Sequence, residues 1–456
     1  MKTLRALFNP RGGIHPAYHK EATDSTRVEV MPVPKTLYVA LNQHLGAPSR
    51  PVVKKGDTVL RGQPLAESAG YVSSWVHAPT SGIIKAVESR LTAGGQLATV
   101  VEIEANGADQ AIESPAPATD WRVMQTRELV DLILQAGVIG MGGAGFPTQV
   151  KLLPPPGKTI ETLVINGAEC EPYLTADHRL MVEESARISQ GIQIVQRILG
   201  ATKVRVAIED NKPEAIAAME SALKMAEGDI QLVVVKTKYP QGAEKQLIYS
   251  CTRREVPSGG LPMDVGALVE NVGTAAAISD AVFLRRPLTE RVLTVTGDAV
   301  ANPKNVLARV GTSFRDLIGF CGGLRGPVGK VICGGPMMGV AQSSLDVGMN
   351  KTTSGLLLLS RSQVHQYTST PCIGCGRCVQ ACPSSLLPCF LSENLEAENF
   401  EEAERLNVLD CIECGACAFE CPAHRPLVQH MRQGKAKVIQ LRRQRETKAS
   451  RKEKAT

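Results

Sequence analysis

The sequence has few aromatic residues and lacks a long apolar run. Aromatic side chains make up 4% of the 456 residues, too few for regular stacking platforms for nucleobases. The longest apolar candidate, residues 265–284, is interrupted by Glu270, Asn271 and Asp280, so it does not supply the roughly 20 apolar residues that span a bilayer. The basic N-terminus reaches Pro10 before an apolar core forms. We therefore expect a soluble chain without a secretory signal.

The sequence also lacks the usual signatures of hydrolases. There is no GxSxG or HExxH pattern, and no pair of carboxylates stands out as an acid and base. Hydride and electron transfer need no such constellation, because a cofactor performs the chemistry and the protein positions it.

Positive charge is concentrated at one end of the chain. Residues 432–456 hold ten Lys or Arg and two Glu, while the whole chain has a net charge of +6, so the remainder is weakly acidic. This distribution argues against a nucleic-acid-binding domain. Two interpretations of the basic tail remain open. It is either a solvated, partly helical extension or a segment attracted to anionic lipid head groups.

Thirteen cysteines are present, and eight of them form an internal repeat. A disulfide framework belongs to small secreted chains, so clustered cysteines here indicate metal sites. The pattern C-x2-C-x2-C-x3-C-P occurs twice, 39 residues apart, and this is the spacing of two-cluster bacterial ferredoxins. Structural zinc sites have no use for the third and fourth cysteines at these spacings.

The fourth cysteine of each repeat is expected to ligate the other cluster and to open a helix. The two predicted ligand sets of the [4Fe–4S] clusters are Cys372, Cys375, Cys378 and Cys421 for one cluster, and Cys382, Cys411, Cys414 and Cys417 for the other.

The first part of the chain predicts a small β unit. Short Val/Leu-rich strands and turns between residues 52 and 87 resemble the lipoyl/biotinyl carrier (hammerhead) family, with the motifs GDTVLRGQPLA and HAPTSGII. Carriers present a modified lysine between the two halves, whereas this chain has GYVSS at residues 70–74. We therefore interpret the unit as structural. The Pro/Ala-rich residues 106–120 predict a linker.

The middle of the chain predicts an α/β layer. Helices are expected at residues 126–137, 183–199 and 213–226, and strands at 162–165, 204–208 and 230–235. Residues 291–339 return to short strands and Gly/Pro turns. The G-x-G-x-x-G match at residues 140–145 follows a helix, not a strand, so it predicts a loop whose bare backbone can contact a phosphate or a flat ring.

Further motifs carry a resemblance to known proteins. GMGGAGFPTQVK (140–151), NGAECEP (166–172), YPQGAEKQL (239–247) and ENVGT (270–274) resemble the FMN- and NADH-binding motifs of the flavoprotein subunit of respiratory complex I. The order of modules over residues 12–432, from GGIHP to the paired cysteine motifs, resembles the family of C subunits of the Rnf (Rsx) ion-translocating oxidoreductase complex. The tail after residue 432 is outside this resemblance.

The resemblance implies specific cofactor contacts. Lys151 and Glu244 are expected to act in catalysis. The implied FMN contacts are Gly140, Gly142, Gly143, Lys151, Asn166, Glu169, Gly242, Asn271 and Thr274. The implied NADH contacts are Phe146, Lys151, Glu171 and Glu244. This chain departs from the complex I motifs at Ala168, Ala243 and Glu270.

The resemblance also implies a multidomain α/β and α+β architecture. The predicted units are an N-terminal β module with the hammerhead (1–115), an FMN/NADH-binding α/β domain (120–288), a β-grasp-like soluble-ligand-binding module (289–360), a ferredoxin-like helical domain with two [4Fe–4S] clusters (365–432) and a basic tail (433–456).

The implied function is that of an NADH-oxidising flavo-iron–sulfur oxidoreductase subunit. It would pass electrons between NADH, non-covalent FMN and two [4Fe–4S] clusters, and exchange them with ferredoxin through other subunits of a membrane-bound Rnf-type complex. The resemblance implies a peripheral position on the cytoplasmic face of the bacterial inner membrane, reached through partners and the basic tail. The alternative is an electron-wire or assembly subunit whose flavin site is vestigial, as Ala168, Ala243 and Glu270 would favour.

Overall fold

A computed structural model describes residues 2–6, 8–113 and 120–453 of the chain. The predicted linker at 106–120 therefore lies partly outside the described residues. The strands are β1 (Lys2–Arg5), β2 (Glu29–Val30), β3 (Thr36–Ala40), β4 (Arg50–Pro51), β5 (Thr58–Val59), β6 (Pro64–Glu67), β7 (Val76–His77), β8 (Gly82–Leu91), β9 (Leu97–Ala105), β10 (Thr162–Gly167), β11 (Lys203–Glu209), β12 (Asp229–Val235), β13 (Ala267–Asn271), β14 (Glu290–Thr296), β15 (Lys304–Arg309), β16 (Val328–Cys333), β17 (Val340–Ala341) and β18 (Gly355–Ser360).

Helices connect and cover these strands. The α-helices are α1 (Thr126–Gln135), α2 (Thr148–Lys151), α3 (Ala176–Glu183), α4 (Ser185–Leu199), α5 (Pro213–Leu223), α6 (Glu244–Thr252), α7 (Val272–Ser279), α8 (Phe314–Phe320), α9 (Arg377–Ala381), α10 (Pro388–Glu396), α11 (Phe400–Arg405), α12 (Ala416–Phe419) and α13 (Leu427–Glu453). Short 3-10 helices lie at Pro262–Val265, Arg361–Gln363 and Val408–Asp410, and a π-helix at Asp280–Leu284. Over the described residues, no helix has the combination of length and apolar character that crossing a bilayer requires.

The middle of the chain forms a five-stranded parallel sheet in the order β1-β12-β11-β10-β13. Its central strands are apolar on both faces, as parallel strands covered by helices on both sides must be, whereas the edge strand β1 is mostly polar and exposed. Leu163 and Ile165 face the core shared with α4 and α7, whereas Val164 between them faces the core shared with α6. The predicted α/β layer is therefore present, and its loops meet at the carboxyl edge of one sheet.

Helix boundaries in this layer differ from prediction by a few residues. The predicted helix at 183–199 is α4, which begins at Ser185, while residue 183 ends the separate helix α3. The predicted helix at 213–226 is α5, which ends at Leu223. The predicted stop at Gly137 is present. Gly137 adopts a φ of +66°, and a Cβ there would lie 2.4 Å from the carbonyl oxygen of Trp75, so only glycine fits.

The β unit near the N-terminus is wider than the predicted residues 52–87. One sheet has the order β3-β9-β8-β5 and the other β4-β6-β7. Val39, Val59, Leu65, Ile84 and Val101 fill the core between them. The strands β3 and β9, outside the hammerhead motif, therefore complete this module.

A six-stranded mixed sheet follows the parallel one, in the order β17-β16-β18-β14-β15-β2. Helix α8 packs on it through Phe314 and Leu317. The short strand β2 comes from the N-terminal segment and pairs in parallel with β15, just as β1 pairs with β12 in the other sheet. The N-terminal segment thus adds an edge strand to two different sheets, which the sequence analysis did not predict.

The cysteine repeats lie among short helices at the C-terminal end. Contrary to expectation, the fourth cysteine of each repeat does not open a helix. Cys382 directly follows α9, and Cys421 comes two residues after α12. Proline after each of these cysteines cannot donate a backbone hydrogen bond, and the next helices begin only at Pro388 and Leu427.

The basic tail continues a helix of the preceding domain. Helix α13 runs through residue 432, where the predicted boundary lies, without a break. Arg442 and Arg445 both bind the carboxylate of Glu404 on α11. This part of the tail is therefore docked on the cysteine-rich domain.

The contact between α4 and α7 allows a test of the packing. A Cβ added to Gly191 in α4 would lie 1.8 Å from the carbonyl oxygen of Ala275 in α7, so the Gly191→Ala variant must separate the two helices. We expect its free energy of unfolding to fall by about 1–3 kcal/mol. Gly319→Ala in α8 is the matched control, because its Cβ would meet no atom within 4 Å. Urea unfolding of both variants checks this, and equal stability would contradict the described packing.

Candidate functional site

The glycine-rich loop lies between α1 and α2, above the carboxyl edge of the parallel sheet. The N–H of Met141 donates to the Thr274 hydroxyl at 2.9 Å. A Cβ on Gly142 would come within 2.9 Å of the Asn271 Cβ, whereas a Cβ on Gly143 would meet nothing within 4 Å. The loop therefore contacts the start of α7 on one side and leaves an open space beside Gly143.

Lys151 at the end of α2 reaches two carboxylates. Its Nζ lies 3.3 Å from Glu244 and 3.9 Å from Glu270, and it donates to the carbonyl oxygen of Val269. Burial disfavours the charged amine, but the two carboxylates outweigh it and raise the pKa of Lys151. Burial likewise raises the pKa of Glu270, against the attraction of Lys151. The two predicted catalytic residues, Lys151 and Glu244, are thus in contact.

Two asparagines fix the neighbouring loops. Asn166, at the end of β10, donates from its side-chain amide to the carbonyl oxygen of Gly242 at 2.8 Å. The side-chain oxygen of Asn271, at the end of β13, accepts from the Gly273 N–H at 2.8 Å, and its amide donates to Asp177 at 2.7 Å. Both sit where strands of a parallel sheet end, the usual position of ligand-binding residues.

The two glutamates of the NGAECEP segment lie apart from Lys151. Glu169 accepts from the backbone N–H groups of Asp177 and His178, at 2.7 and 3.0 Å, at the start of α3. Glu171 accepts from the N–H groups of Met337 and Met338, at 3.3 and 2.8 Å. The predicted flavin contact Glu169 therefore caps a helix, and the predicted NADH contact Glu171 joins the flavin-like domain to the GGPMMG turn.

Buried cations hold these loops, and the sequence analysis missed them. Lys20 donates to the carbonyl oxygens of Glu169 and Glu171, at 2.8 and 3.0 Å, and burial lowers its pKa to about 8. Lys351 donates to the carbonyl oxygens of Trp75 and Gly137, at 2.8 and 2.7 Å, and burial lowers its pKa to about 7. Their acceptors are backbone carbonyl groups, which every residue has, so no pattern of charged residues in the sequence predicts these contacts.

Arg291 is a third cation of this kind. Its guanidinium donates to the carbonyl oxygen of Met141 at 3.0 Å and to that of Lys351. It lines a cavity of about 550 Å³ together with Met141, Asp177 and Gly273. None of the predicted FMN contacts is among the residues that line this cavity.

The residues of the loop site fit a flavin phosphate and ring. Buried oxygens of Gln241 and Glu270 have no hydrogen-bond partner within the described part of the chain, although they stand beside the predicted contacts. The cation of Lys151 and the open backbone at Gly143 supply charge and close approach. The site thus offers acceptors that the described part of the protein does not satisfy, together with one cation.

One set of four cysteines surrounds a common cavity. Cys382, Cys411, Cys414 and Cys417 all line it. The N–H groups of Leu386 and Glu413 approach the sulfurs of Cys382 and Cys411 at 3.4 Å, as donors do around cluster thiolates. Burial raises the pKa of the Cys414 thiol to about 11, so a bound cation is needed to hold it as a thiolate.

The second set is more open. Cys372 and Cys375 are exposed and Cys378 is buried. Burial raises the pKa of the Cys378 thiol to about 11, and Cys389 and, to a smaller extent, Cys421 add to the rise. Cys389, which lies outside the repeat, also contacts Cys378. In the described ranges, no three His, Cys, Asp or Glu side chains converge closely enough for a single metal ion. An iron–sulfur cube is held by four cysteine thiolates, and each of the two sets supplies four cysteines.

Four domain families match successive parts of the chain. Their descriptions are RnfC barrel sandwich hybrid domain (residues 8–108), Nuo51 FMN-binding domain (133–280), SLBB domain (292–341) and 4Fe-4S dicluster domain (365–422). These matches confirm the predicted mixed α/β multidomain architecture with an FMN-binding domain and an iron–sulfur domain.

Whole-chain relatives are also found. The chain is 48% identical over 423 residues to the C subunit of the proton-translocating ferredoxin:NAD(+) oxidoreductase complex of Clostridium ljungdahlii, covering 92% of each chain. It is 44% identical over 433 residues to the C subunit of the Na(+)-translocating ferredoxin:NAD(+) oxidoreductase complex of Acetobacterium woodii, covering 95% of this chain and 98% of that one. A crystal structure of NAD+-reducing [NiFe]-hydrogenase in the air-oxidized state aligns with a TM-score of 0.49 and 19% identity, over 68% of this chain and 63% of that chain.

The contact of Glu171 with the GGPMMG turn predicts a pH dependence. Burial raises the pKa of Glu171 to about 7, against the N–H groups of Met338 and Met337. Between about pH 4.5 and 7 the carboxyl of Glu171 is deprotonated in the unfolded chain but protonated in the folded chain. Because the folded chain binds more protons, the free energy of unfolding falls as pH rises through this range. Well above pH 7 the Glu171→Gln variant should therefore be more stable than the unsubstituted protein, by about 3 kcal/mol, and near pH 4.5 the two should be equally stable.

Unfolding measured over this pH range checks the prediction. The exposed Glu393 provides the control, because Glu393→Gln changes the same charge at the surface. An unchanged pH slope in Glu171→Gln would show that this carboxyl is not held as described.

Proposed function

The chain belongs to the family of C subunits of ion-translocating ferredoxin:NAD+ oxidoreductase complexes, and from this premise we propose that it is the subunit that exchanges electrons with NADH. As in the family, it is an electron-transfer subunit of such a complex. The observation that carries the proposal is the contact between Lys151, Glu244 and Glu270 at the carboxyl edge of the parallel sheet, in a chain that also brings four cysteines around one cavity.

In this proposal the glycine-rich loop and the sheet edge hold FMN. The loop, through Gly140, Gly142 and Gly143, offers a backbone that can lie against the flavin. The remaining proposed FMN contacts are Lys151, Asn166, Glu169, Gly242, Asn271 and Thr274. When bound, FMN supplies the exchange between hydride transfer and single-electron transfer. Because Glu169 caps α3 with both oxygens, we expect its effect on the flavin to come through the position of its loop.

The proposed NADH contacts are Phe146, Lys151, Glu171 and Glu244. Lys151 would offer its charge to a phosphate, while Glu244, 43% exposed, is free to turn toward a ribose hydroxyl. Glu171 is engaged by the GGPMMG turn, so NADH could contact it only if that turn moved.

We further propose that each cysteine set holds one [4Fe–4S] cluster. Cys382, Cys411, Cys414 and Cys417 would form the enclosed site, and Cys372, Cys375, Cys378 and Cys421 the exposed one. Electrons would leave for partner subunits at the exposed site and reach ferredoxin through them.

We place the chain peripherally on the cytoplasmic face of the inner membrane, held there by its partners. The basic tail contributes less to membrane attachment than its charge suggests, because Arg442 and Arg445 are paired with Glu404.

The proposed domain limits are those of the sequence analysis, with one change. The units at 1–115, 120–288, 289–360 and 365–432 are retained. The tail from 433 is better assigned to the ferredoxin-like domain, because α13 crosses that limit and binds α11.

A second candidate function is supported by Glu270. This carboxylate replaces an asparagine of the complex I motif, is almost fully buried and engages Lys151. If that pair excludes flavin, the chain would carry electrons through its clusters alone. The following experiment separates the two functions.

Removal of the cation or its partner should lower the rate of the NADH reaction selectively. Hydrogen bonds to charged groups contribute about 1.5–3 kcal/mol, so Lys151→Ala and Glu244→Ala should lower NADH-to-ferricyanide activity by roughly 10- to 100-fold. Lys158→Ala is the matched control, because Lys158 pairs only with Asp264 at the surface. Iron–sulfur absorbance should be unchanged in all three variants. Normal dye reduction by both site variants would contradict the proposed site.

Paired cysteine variants test how the ligands are shared. Cys375→Ser and Cys421→Ser should remove the same electron paramagnetic resonance (EPR) signal, and Cys382→Ser and Cys411→Ser the other, each with about half of the iron. If Cys382→Ser and Cys375→Ser affect the same signal, each repeat holds its own cluster and the crossed assignment is wrong.

A further inference from the structure

A buried tyrosine joins the cysteine-rich domain to the loops of the sheet edge. Tyr239 is 1% exposed, and its hydroxyl donates to the carbonyl oxygen of Cys414 at 2.6 Å. Its backbone N–H and carbonyl pair with Ile14, at 2.9 and 2.7 Å. Tyr239 belongs to one apolar cluster with Ile14, Cys170, Ala381, Cys414 and Ala416. The tyrosine is therefore clamped at its backbone and directed at one cysteine ligand.

The other end of this contact reaches the proposed flavin site. Tyr239 lies in a tight turn that the Gln241 N–H closes by donating to the carbonyl oxygen of Lys238 at 2.8 Å, and Gly242 directly follows this turn. The carbonyl oxygen of Gly242 accepts from Asn166, and its N–H approaches the Cys170 sulfur at 3.3 Å. Four consecutive residues thus connect Gly242, a proposed flavin contact, with Tyr239, whose hydroxyl donates to Cys414.

This junction involves only one of the two cysteine sets. Besides the Tyr239 contact, Gln246 donates to the carbonyl oxygen of Pro383 at 2.9 Å, and the Gly13 N–H donates to that of Ala381 at 2.8 Å. Pro383 and Ala381 flank Cys382, which belongs to the same set as Cys414. The exposed cysteines Cys372 and Cys375 belong to the other set.

We propose that Tyr239 is a positioning residue that ties the flavin-binding turn to the enclosed cluster site and sets the redox properties of that cluster. The inference rests on the proposed function of the chain. A hydrogen bond donated into the ligand loop places positive charge density near the cluster and favours its reduced, more negative state. The same bond fixes the ligand loop relative to the turn that carries Gly242.

The test uses the full chain, purified without oxygen with its cofactors, and the Tyr239→Phe variant. This variant keeps the ring in place and removes only the donor. We expect the midpoint potential of one cluster to shift to a more negative value and its EPR line shape to change. The flavin content and the potential of the second cluster should stay unchanged. Tyr367→Phe is the control, because Tyr367 is exposed and stacks on His424 near Cys421 of the other set, at 3.9 Å between ring centroids.

The outcomes separate this inference from the proposed function. If both cluster potentials and line shapes are the same in Tyr239→Phe as in the unsubstituted chain, Tyr239 is only a packing residue and the inference is overturned. If instead the second cluster shifts, or Tyr367→Phe gives the same shift, the hydroxyl does not act on the enclosed site and the inference is also overturned. If the unsubstituted chain carries no iron or no flavin, it is the proposed function that fails.

Discussion

Buried cations that bind backbone carbonyls hold the loops of the candidate site together. Lys20 fixes the NGAECEP segment, Arg291 fixes the glycine-rich loop, and Lys351 joins the end of α1 to the N-terminal β module. Loops at the end of a parallel sheet carry carbonyl groups that would otherwise be buried without partners. An amine or guanidinium can satisfy several of them at once, so each loop is held by one side chain whose charge is spread over carbonyl dipoles.

The same principle connects the domains. Arg291 and Lys351 come from the part of the chain that forms the six-stranded sheet. Arg291 nevertheless donates to Met141 in the flavin-like domain, and Lys351 donates to Trp75 in the N-terminal β module. The N-terminal segment adds β1 to one sheet and β2 to another, and it supplies Lys20. The loops of the site are thus fixed by contacts from several domains. Electron transfer between bound centres requires such a fixed arrangement.

Patterns local in sequence predicted much of this structure. Apolar strands with helical spacing between them located β10, β11, β12 and α5, and the cysteine spacing located the iron–sulfur domain. Contacts between distant residues were not predictable in this way. Lys20 meets carbonyls about 150 residues away, and Tyr239 meets Cys414 at a separation of 175 residues. Both contacts end on backbone carbonyl oxygens, which every residue has, so no pattern in the sequence identifies these pairs. Burial of Glu171 under the GGPMMG turn is a tertiary effect of the same kind.

We propose that one chain holds both a flavin site open to NADH and iron–sulfur clusters. The most direct test is the visible absorption spectrum of the anaerobically purified chain before and after addition of NADH. We predict broad iron–sulfur absorbance together with a flavin band, and bleaching of both on addition of NADH. Clusters that do not respond to NADH, with no flavin released on denaturation, would contradict the claim and leave a chain that only conducts electrons between its partners.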